Sequence, residues 1–157
     1  MNEVKKIPTA APVVGVILIR SDGRVLLRRR PPDKAHAGLW EFPGGKVEPG
    51  ERNREALARE VAEELAIGLD PRRLAFAALS HDRGAGPAPR EPYVLFLYTC
   101  RAWRGEPRCT EGGEVGWFTP AEARGLPVPP LDVEPVARLA AILARRPAGV
   151  AKPQART

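Results

Sequence analysis

Short apolar segments rich in β-branched residues alternate with polar turns along this chain. Residues 13–20 (VVGVILIR) predict a buried strand, and Asp22-Gly23 predicts a tight turn into a return strand over residues 25–30. Further strands are predicted over residues 40–43, 74–79, 93–102 and 113–118. The polar stretch 81–92 is rich in Gly and Pro and predicts a surface loop.

One longer segment has helical spacing and is predicted to be a helix from residue 51 or 52 to residue 65. Its core-facing stripe consists of Leu57, Ala58, Val61, Ala62 and Leu65. The other side carries three carboxylates, Glu60, Glu63 and Glu64, within an arc of roughly 100°. A glycine-rich turn at Gly44-Gly45 precedes this helix.

Two capping signals predict helices in the last third of the chain. Thr119 and Glu122 form a capping-box pattern with Pro120 at the first helical position, so a brief helix is expected there. Asp132 is expected to cap a final helix that runs to about Arg145. Strands on both sides of the acidic helix, followed by a C-terminal helix, predict a mixed α/β fold.

The length and composition suit one domain, because 157 residues with 43% hydrophobic positions can form a proper core. We expect an N-terminal arm over residues 1–12, the domain over residues 13–146 and a flexible tail over residues 147–157. No apolar run approaches the ~20 residues of a membrane span. The first residues lack an apolar signal core, so the expected location is the cytoplasm, with no membrane partner.

Charge and cysteine content narrow the ligand class. The net charge of +6 favours an anionic ligand such as a nucleotide. No platform of interleaved aromatic and basic residues indicates stable binding of nucleic acid. Cys100 and Cys109 have neither metal-ligand spacing nor a disulfide framework. The sequence leaves both a monomer and a homodimer open.

The acidic side of the helix is a candidate metal site. Like-charged pairs at this spacing cost about 0.2–0.5 kcal/mol each, and a bound cation would explain why Glu60, Glu63 and Glu64 cluster. The candidate ligands are all hard oxygens, which favours Mg²⁺, or Mn²⁺, over Zn²⁺. The Gly44-Gly45 turn would let a main-chain carbonyl join the site. The alternative interpretation is a solvated acidic face without a ligand.

The order of residues around this cluster resembles the Nudix box. Gly45 is followed after five residues by Glu51, and after seven more by the segment 59–67 (REVAEELAI). Every specified position matches except Ala66, where the family has a Gly that ends the helix in a left-handed conformation. Ala adopts that conformation at a cost of roughly 1 kcal/mol, and Gly68 offers a later point at which the helix could end.

The resemblance implies a Nudix α/β/α sandwich, in which a mixed β-sheet lies between helices, and hydrolysis of a nucleoside diphosphate linked to another group. The implied metal ligands are Gly44 through its carbonyl, Glu60, Glu63, Glu64 and Glu111. The implied catalytic residues are Arg59, Glu60, Glu63 and Glu111. Arg59 is expected to orient the carboxylates by pairing with Glu55 and Glu63 on its own helix, and Glu51 to support the preceding loop. The general base comes either from the helix or from a distant loop.

Glu111 is the candidate from the distant loop. It lies in the segment 109–113 (CTEGG), six residues before Trp117. This is similar to a Glu-Gly-Gln segment of the MutT-type branch of the family, although Gly113 replaces the Gln. The alternative is a Glu in a glycine-rich surface turn.

A wider similarity to MutT-type nucleoside triphosphate pyrophosphohydrolases is carried by His36, by residues 39–46 (LWEFPGGK) and by residues 129–135 (PPLDVEP). The predicted substrate-binding residues are Arg30, Phe42, Gly45, Lys46 and Asp132. Arg30 ends its strand close to the glycine turn and is expected to meet a phosphate, whereas Arg28 and Arg29 could equally be edge-strand charges that favour solubility. Phe42 could line a base pocket or belong to the core, and Asp132 could read the base, cap its helix or do both.

The expected activity is cleavage of a (deoxy)nucleoside triphosphate to the monophosphate and pyrophosphate, as in nucleotide pool sanitation, with 8-oxo-dGTP as the leading substrate. Close alternatives are CTP or 5-modified dCTP, and another Nudix activity such as ADP-ribose hydrolysis. A non-catalytic nucleotide-binding domain is a further alternative, which the intact carboxylates Glu60, Glu63 and Glu64 disfavour.

Overall fold

The computed structural model of the protein describes residues 9–84 and 90–145. Residues 1–8 of the predicted arm and the predicted tail over residues 147–157 lie outside the described residues. Within the described part of the chain, no helix is long and apolar enough to cross a membrane.

A four-stranded mixed sheet forms the centre of the fold. Its strands are β1 (Ala11–Leu18), β4 (Gly44–Lys46), β5 (Ala75–His81) and β6 (Tyr93–Cys100), in the order β4-β1-β6-β5. Strands β1 and β6 run parallel, while β4 and β5 pair antiparallel with their neighbours. The predicted glycine turn is therefore partly a strand. Gly44 must be glycine there, because a Cβ atom would lie 1.9 Å from the carbonyl oxygen of Val14.

A second sheet contains β2 (Val25–Arg29), β3 (Trp40–Glu41) and β7 (Glu114–Phe118), in the order β3-β2-β7, with all pairs antiparallel. The predicted return strand exists, but its predicted hairpin pairing is wrong beyond the turn. Only a single bridge, from Ile19 to Val25, joins it to β1. Beyond that bridge, β2 pairs along its whole length with β7 and at Arg28 and Arg29 with β3, so it belongs to another sheet.

The acidic helix is α1 (Asn53–Leu65), close to the predicted bounds. Ala66 ends it with φ 56° and ψ 33°, the left-handed conformation, so the alternative of a later end near Gly68 is wrong. The predicted capping box is present at the start of α2 (Pro120–Arg124), where Thr119 and Glu122 exchange hydrogen bonds.

The prediction of one final helix capped by Asp132 is wrong in two respects. The helix begins earlier, as α3 (Pro130–Ala137), because Pro130 suits the first helical position, and Asp132 lies inside its first turn. The helical segment is also interrupted at Arg138 before α4 (Leu139–Ala144). Pro135 lies within α3 and lacks the N–H that would continue the helical hydrogen bonds.

The core consists of two apolar clusters on opposite faces of the central sheet. One joins Val14, Val16 and Leu18 of β1 to buried apolar residues of α1. The predicted stripe of α1 is wrong at Ala62, which is exposed. The other cluster joins Val13 and Ile17 of the same strand to α2, α3 and α4. The period-two alternation of β1 thus supplies both clusters, and the predicted α/β/α sandwich is confirmed.

Candidate active site

A cleft of about 690 Å³ opens between the start of β1, strand β4 and the acidic face of α1. It brings together most of the predicted site residues: Arg30, Phe42, Gly44, Gly45, Lys46, Glu60, Glu64 and Asp132. Arg59, Glu63 and Glu111 lie outside the lining of this cleft. The predicted metal-binding and substrate-binding residues therefore share one cleft in large part.

Glu60 and Glu64 form the acidic edge of α1, which packs directly against strand β4. The backbone N–H of Gly44 donates a hydrogen bond to Oε2 of Glu64 at 3.2 Å. A Cβ atom at Gly45 would lie 2.3 Å from the carboxyl carbon of Glu60, so only glycine permits this approach. The two glycines thus place the carboxylates of Glu60 and Glu64 beside the backbone that was predicted to join them in the metal site.

Arg59 links this acidic edge to the preceding loop through hydrogen bonds to two carboxylates. It donates to both oxygens of Glu51, at 2.8 and 2.9 Å, and to Oε1 of Glu60 at 3.0 Å. Its predicted partner Glu63 lies at 3.6 Å, but the predicted pairing with Glu55 is wrong. Glu55 instead accepts a hydrogen bond from the N–H of Arg52 at the start of the helix, while Arg59 reaches back to the preceding loop.

Glu51 supports that loop, as the sequence predicts. Its Oε1 accepts the backbone N–H of Glu48 at 2.9 Å, and its hydrogen bonds from Arg59 lower its pKa to about 2. Glu51 is therefore an ionised anchor for Arg59 and not a member of the acidic edge itself.

Burial of negative charge is the main electrostatic feature of the acidic edge. Burial raises the pKa of Glu64 to about 7, against the opposing effects of Arg28 and the Gly44 N–H. Burial also raises the pKa of Glu60, although Arg59 opposes the shift. A cation placed between these oxygens would relieve the cost of keeping both groups ionised.

The donor set fits a hard divalent cation in chemical type, because it offers carboxylate and carbonyl oxygens and no sulfur or imidazole. Among the residues that the structure describes, no three acidic, His or Cys side chains converge closely enough to hold a metal ion as they stand. The reason is that N–H groups and guanidinium groups occupy the carboxylates: Arg59 binds Glu60, while Arg28 and the Gly44 N–H bind Glu64. Metal binding requires these carboxylates to turn from their present partners.

A network of ion pairs beside the candidate metal site was not predicted from the sequence. The Arg28 side chain is only 8% exposed and pairs with Glu41 at 3.2 Å and with Glu64 at 3.5 Å. The second oxygen of Glu41 accepts from Arg30 at 3.1 Å. Strand alternation offered a signal, because position 28 shares a face with the buried Leu26.

Arg30 is placed as predicted, at the end of β2 and in the cleft. Its Nε atom is buried and has no hydrogen-bond partner among the described residues. Lys46 lies nearby on the exposed side, with its ammonium group 5.7 Å from the ring centre of Tyr93. An anion in the cleft would find a free donor on Arg30 and a mobile positive charge on Lys46.

The far end of the cleft is more apolar and contains one buried carboxyl group. Asp132 is 6% exposed and accepts the backbone N–H of Phe42 at 3.2 Å. Burial raises its pKa to about 7. Phe42 lines the cleft and also belongs to the core cluster of the C-terminal helices, so the two alternatives for its role are compatible. Arg90 stacks 3.7 Å over the ring of Tyr93, both residues line the cleft, and neither was singled out from the sequence.

Glu111 and Glu63 are exposed, on the outer side of the acidic edge. The loop that carries Glu111 is tied to the end of α1, because Thr110 donates its N–H to the carbonyl of Glu64 at 3.0 Å and its hydroxyl to the carbonyl of Glu63. Two glycines with positive φ, Gly112 and Gly113, follow at once. Through Thr110, Glu111 thus follows directly on a residue that is bonded to the last turn of α1.

Comparison with known proteins places this architecture among related chains. A family model described as the NUDIX domain matches residues 9–139. The CTP pyrophosphohydrolase of Escherichia coli (strain K12) is 36% identical over 133 residues, which cover 83% of this chain and 93% of that protein. A putative 8-oxo-dGTP diphosphatase 2 of Mycobacterium tuberculosis (strain CDC 1551 / Oshkosh) is 37% identical over 131 residues, covering 83% and 88%.

Solved structures agree with these sequence relationships. The solution structure of the E. coli ORF135 protein superposes with a TM-score of 0.74 at 34% identity, covering 90% of this chain and 96% of that one. The crystal structure of a MutT NUDIX hydrolase from Burkholderia pseudomallei gives a TM-score of 0.65 at 35% identity, covering 77% and 89%.

Proposed function

Because this chain belongs to the Nudix hydrolase family, we propose that it hydrolyses a (deoxy)nucleoside triphosphate to the monophosphate and pyrophosphate with the help of Mg²⁺ or Mn²⁺. One observation carries the proposal: the half-buried carboxylates of Glu60 and Glu64 share a cleft with Arg30, whose Nε has no partner among the described residues, and with the buried Asp132. Acidic, basic and apolar groups in one cleft suit a cation, a polyphosphate and a base. The proposed location is the cytoplasm, where such an enzyme would act on the nucleotide pool.

The proposed cation ligands are Glu60, Glu63, Glu64, Glu111 and the carbonyl of Gly44. When bound, a divalent cation supplies stabilisation of the negative charge on phosphate oxygens and activation of a water molecule. The chain's own contribution is orientation: Gly44 and Gly45 bring β4 against the helix, and Arg59 holds Glu60 from the Glu51 side. Glu63 and Glu111 are exposed and can approach the cleft from outside.

The phosphate chain is assigned to the section of the cleft that contains Arg30 and Lys46. The buried Nε of Arg30 has a free hydrogen to donate, and Glu41 fixes the other side of its guanidinium. A guanidinium held in this way can contact a phosphate with little loss of side-chain freedom. Gly45 also lines this cleft, and its missing side chain lets the Glu60 carboxylate lie against its backbone.

Proton transfer from the attacking water is assigned to a carboxylate of the same set. Glu60 and Glu63 stand on the helix, whereas Glu111 stands on the loop tied to the end of that helix by Thr110. Substitution of Glu111 separates these two sources of the general base.

The base is assigned to the apolar end, where Asp132 is the polar group. An ionised Asp132 only accepts hydrogen bonds and favours an exocyclic amino group, as on cytosine. A protonated Asp132 also donates, which makes 8-oxoguanine acceptable. Since burial raises its pKa to about 7, both forms are accessible near neutral pH. We propose 8-oxo-dGTP as the leading substrate and CTP or 5-modified dCTP as the second candidate, in line with the two relatives named above.

A substrate panel tests the proposal. Canonical dNTPs and NTPs, 8-oxo-dGTP, 5-modified dCTP and ADP-ribose would each be incubated with the protein and Mg²⁺, with separate detection of pyrophosphate and orthophosphate. We expect pyrophosphate and the nucleoside monophosphate from at least one triphosphate. Turnover of ADP-ribose alone, or of no nucleotide, would contradict it.

A further inference from the structure

Arg28 is a charged residue of the cleft to which the proposed reaction assigns no task. Its side chain is 8% exposed and turns towards α1. Its neighbour Arg29 turns to the surface and pairs with Glu114 at 3.0 Å, with both side chains about half exposed. A buried guanidinium requires compensating charge, and both partners of Arg28 are carboxylates that line the cleft.

The guanidinium of Arg28 lies against Glu64, which is a proposed metal ligand. One nitrogen, Nη2, lies 3.2 Å from Oε1 of Glu41 and 3.5 Å from Oε1 of Glu64. The other oxygen of Glu64 accepts the N–H of Gly44. Both oxygens of Glu64 are therefore engaged already, one of them by a positive charge. A divalent cation that binds Glu64 meets this guanidinium at the same carboxylate.

We propose that Arg28 is a positioning residue that competes with the divalent cation for Glu64, with Glu41 as the acceptor that keeps the guanidinium when Glu64 turns to the cation. The inference rests on the proposed function, because it concerns the metal site of that reaction. Arg28 weakens cation binding to the nucleotide-free protein by charge repulsion. The negative triphosphate offsets that repulsion, so cation and nucleotide enter together.

Glu41 is suited to this part because it can accept on both oxygens. Oε1 faces Arg28, while Oε2 accepts from Nη1 of Arg30 at 3.1 Å. Removal of one partner from a buried ion pair leaves an uncompensated charge at high cost. Glu41 prevents that cost for Arg28, since the hydrogen bond between them persists when Glu64 is taken by the cation.

The test measures Mn²⁺ binding to the nucleotide-free protein, from the free Mn²⁺ signal in electron paramagnetic resonance. Arg28→Gln should lower the Kd, by roughly tenfold for loss of one charge in a partly buried site. Glu41→Gln should raise the Kd, because Arg28 then depends on Glu64 alone. Arg29→Gln, on the same strand but exposed, is the matched control and should bind as the wild type. Unchanged or weaker binding by Arg28→Gln would overturn the proposal.

The double variant Arg28→Gln/Glu41→Gln separates action through Arg28 from a general charge effect. If Glu41 acts through Arg28, Glu41→Gln should change the Kd much less in the Arg28→Gln background than in the wild type. An equal change in both backgrounds would overturn the assignment of Glu41. Circular dichroism reports folding, and if Arg28→Gln does not fold, unchanged or tighter binding by Glu41→Gln alone overturns the proposal.

The outcome is separable from that of the proposed function. A wild-type protein that releases pyrophosphate and binds Mn²⁺, with variants that bind it equally well, contradicts only the competition by Arg28. A wild-type protein that hydrolyses no nucleoside triphosphate contradicts the proposed function itself.

Discussion

The backbone N–H of Phe42 donates a hydrogen bond of 3.2 Å to the buried carboxyl group of Asp132, across 90 residues of sequence. Phe42 comes two residues before Gly44, whose own N–H binds Glu64. The contact therefore joins the first turn of α3 to the segment that binds Glu64 in the acidic edge of α1. The proposed base-binding and metal-binding ends of the cleft are parts of one connected structure.

The burial of Asp132, which outweighs the opposing effect of the Phe42 N–H on its pKa, predicts how stability depends on pH. Burial raises the pKa of Asp132 from its ordinary value of 3.8 to about 7. Between these two pH values the native state therefore holds a proton that the unfolded chain has released. The stabilising contribution is complete below pH 3.8 and is lost as the pH rises to about 7. In EDTA, urea unfolding of Asp132→Asn should show a shallower fall in the free energy of unfolding over this window. Glu64, with a pKa also raised to about 7, maintains part of the fall in both proteins. An identical pH dependence in both would contradict the burial argument.

The same residue predicts substrate ranking. If Asp132 reads the base, Asp132→Asn should change the order of kcat/KM among dCTP, dGTP and 8-oxo-dGTP, because an amide donates and accepts at every pH. The pH dependence of the ranking should also disappear in the variant. A common factor for all three substrates would mean that Asp132 only fastens α3 to Phe42.

Ala66 predicts a gain in stability. It occupies the left-handed region at φ 56°, where a Cβ atom is strained. Ala66→Gly should therefore raise the free energy of unfolding by about 1 kcal/mol. Ala62→Gly, one turn earlier in the exposed helix interior, is the matched control and should lower it by about 1 kcal/mol. Chemical denaturation measures both, and a loss of stability in Ala66→Gly would contradict the strain.

The parts of the fold that local pattern controls could be predicted from the sequence. The bounds of α1 follow from its apolar period, and the capping box at Thr119 follows from its spacing. The pairing of β2 could not be predicted, because its main partner is β7, far along the chain, and not the neighbouring β1. That pairing is decided by segments distant in the chain.

The candidate site likewise contains some residues that a local motif predicts and others whose role depends on distant segments. Glu60 and Glu64 could be predicted from a motif within one helix, and the structure places both in the cleft. Strand alternation places Arg28 on the face of the buried Leu26, but its ion pairs could not be predicted, because they join β2 to Glu41 in another strand and to Glu64 in α1. The role of Asp132 as an acceptor for Phe42 likewise depends on a contact between distant segments.

Substitution of Glu111 is expected to change the kinetics of hydrolysis but not the stability of the fold. Its side chain is exposed in a glycine-flanked loop, so Glu111→Gln should leave the thermal midpoint unchanged. If it acts in the transition state, the variant should lower kcat far more than it raises KM. Glu114→Gln, exposed a few residues later, serves as the control. An unchanged kcat would mean that Glu111 is only a surface turn residue and that the general base is a carboxylate of α1.

The most direct test of the account is the hydrolysis of 8-oxo-dGTP and dCTP by the wild type and by Glu64→Gln, in Mg²⁺ and in excess EDTA, with pyrophosphate as the measured product. Glu55→Gln is the matched control, since Glu55 lies on the same helix outside the cleft. The account predicts pyrophosphate from the wild type and the control in Mg²⁺, and a loss of orders of magnitude in Glu64→Gln or in EDTA. Undiminished turnover in Glu64→Gln, or turnover that persists in EDTA, would contradict it.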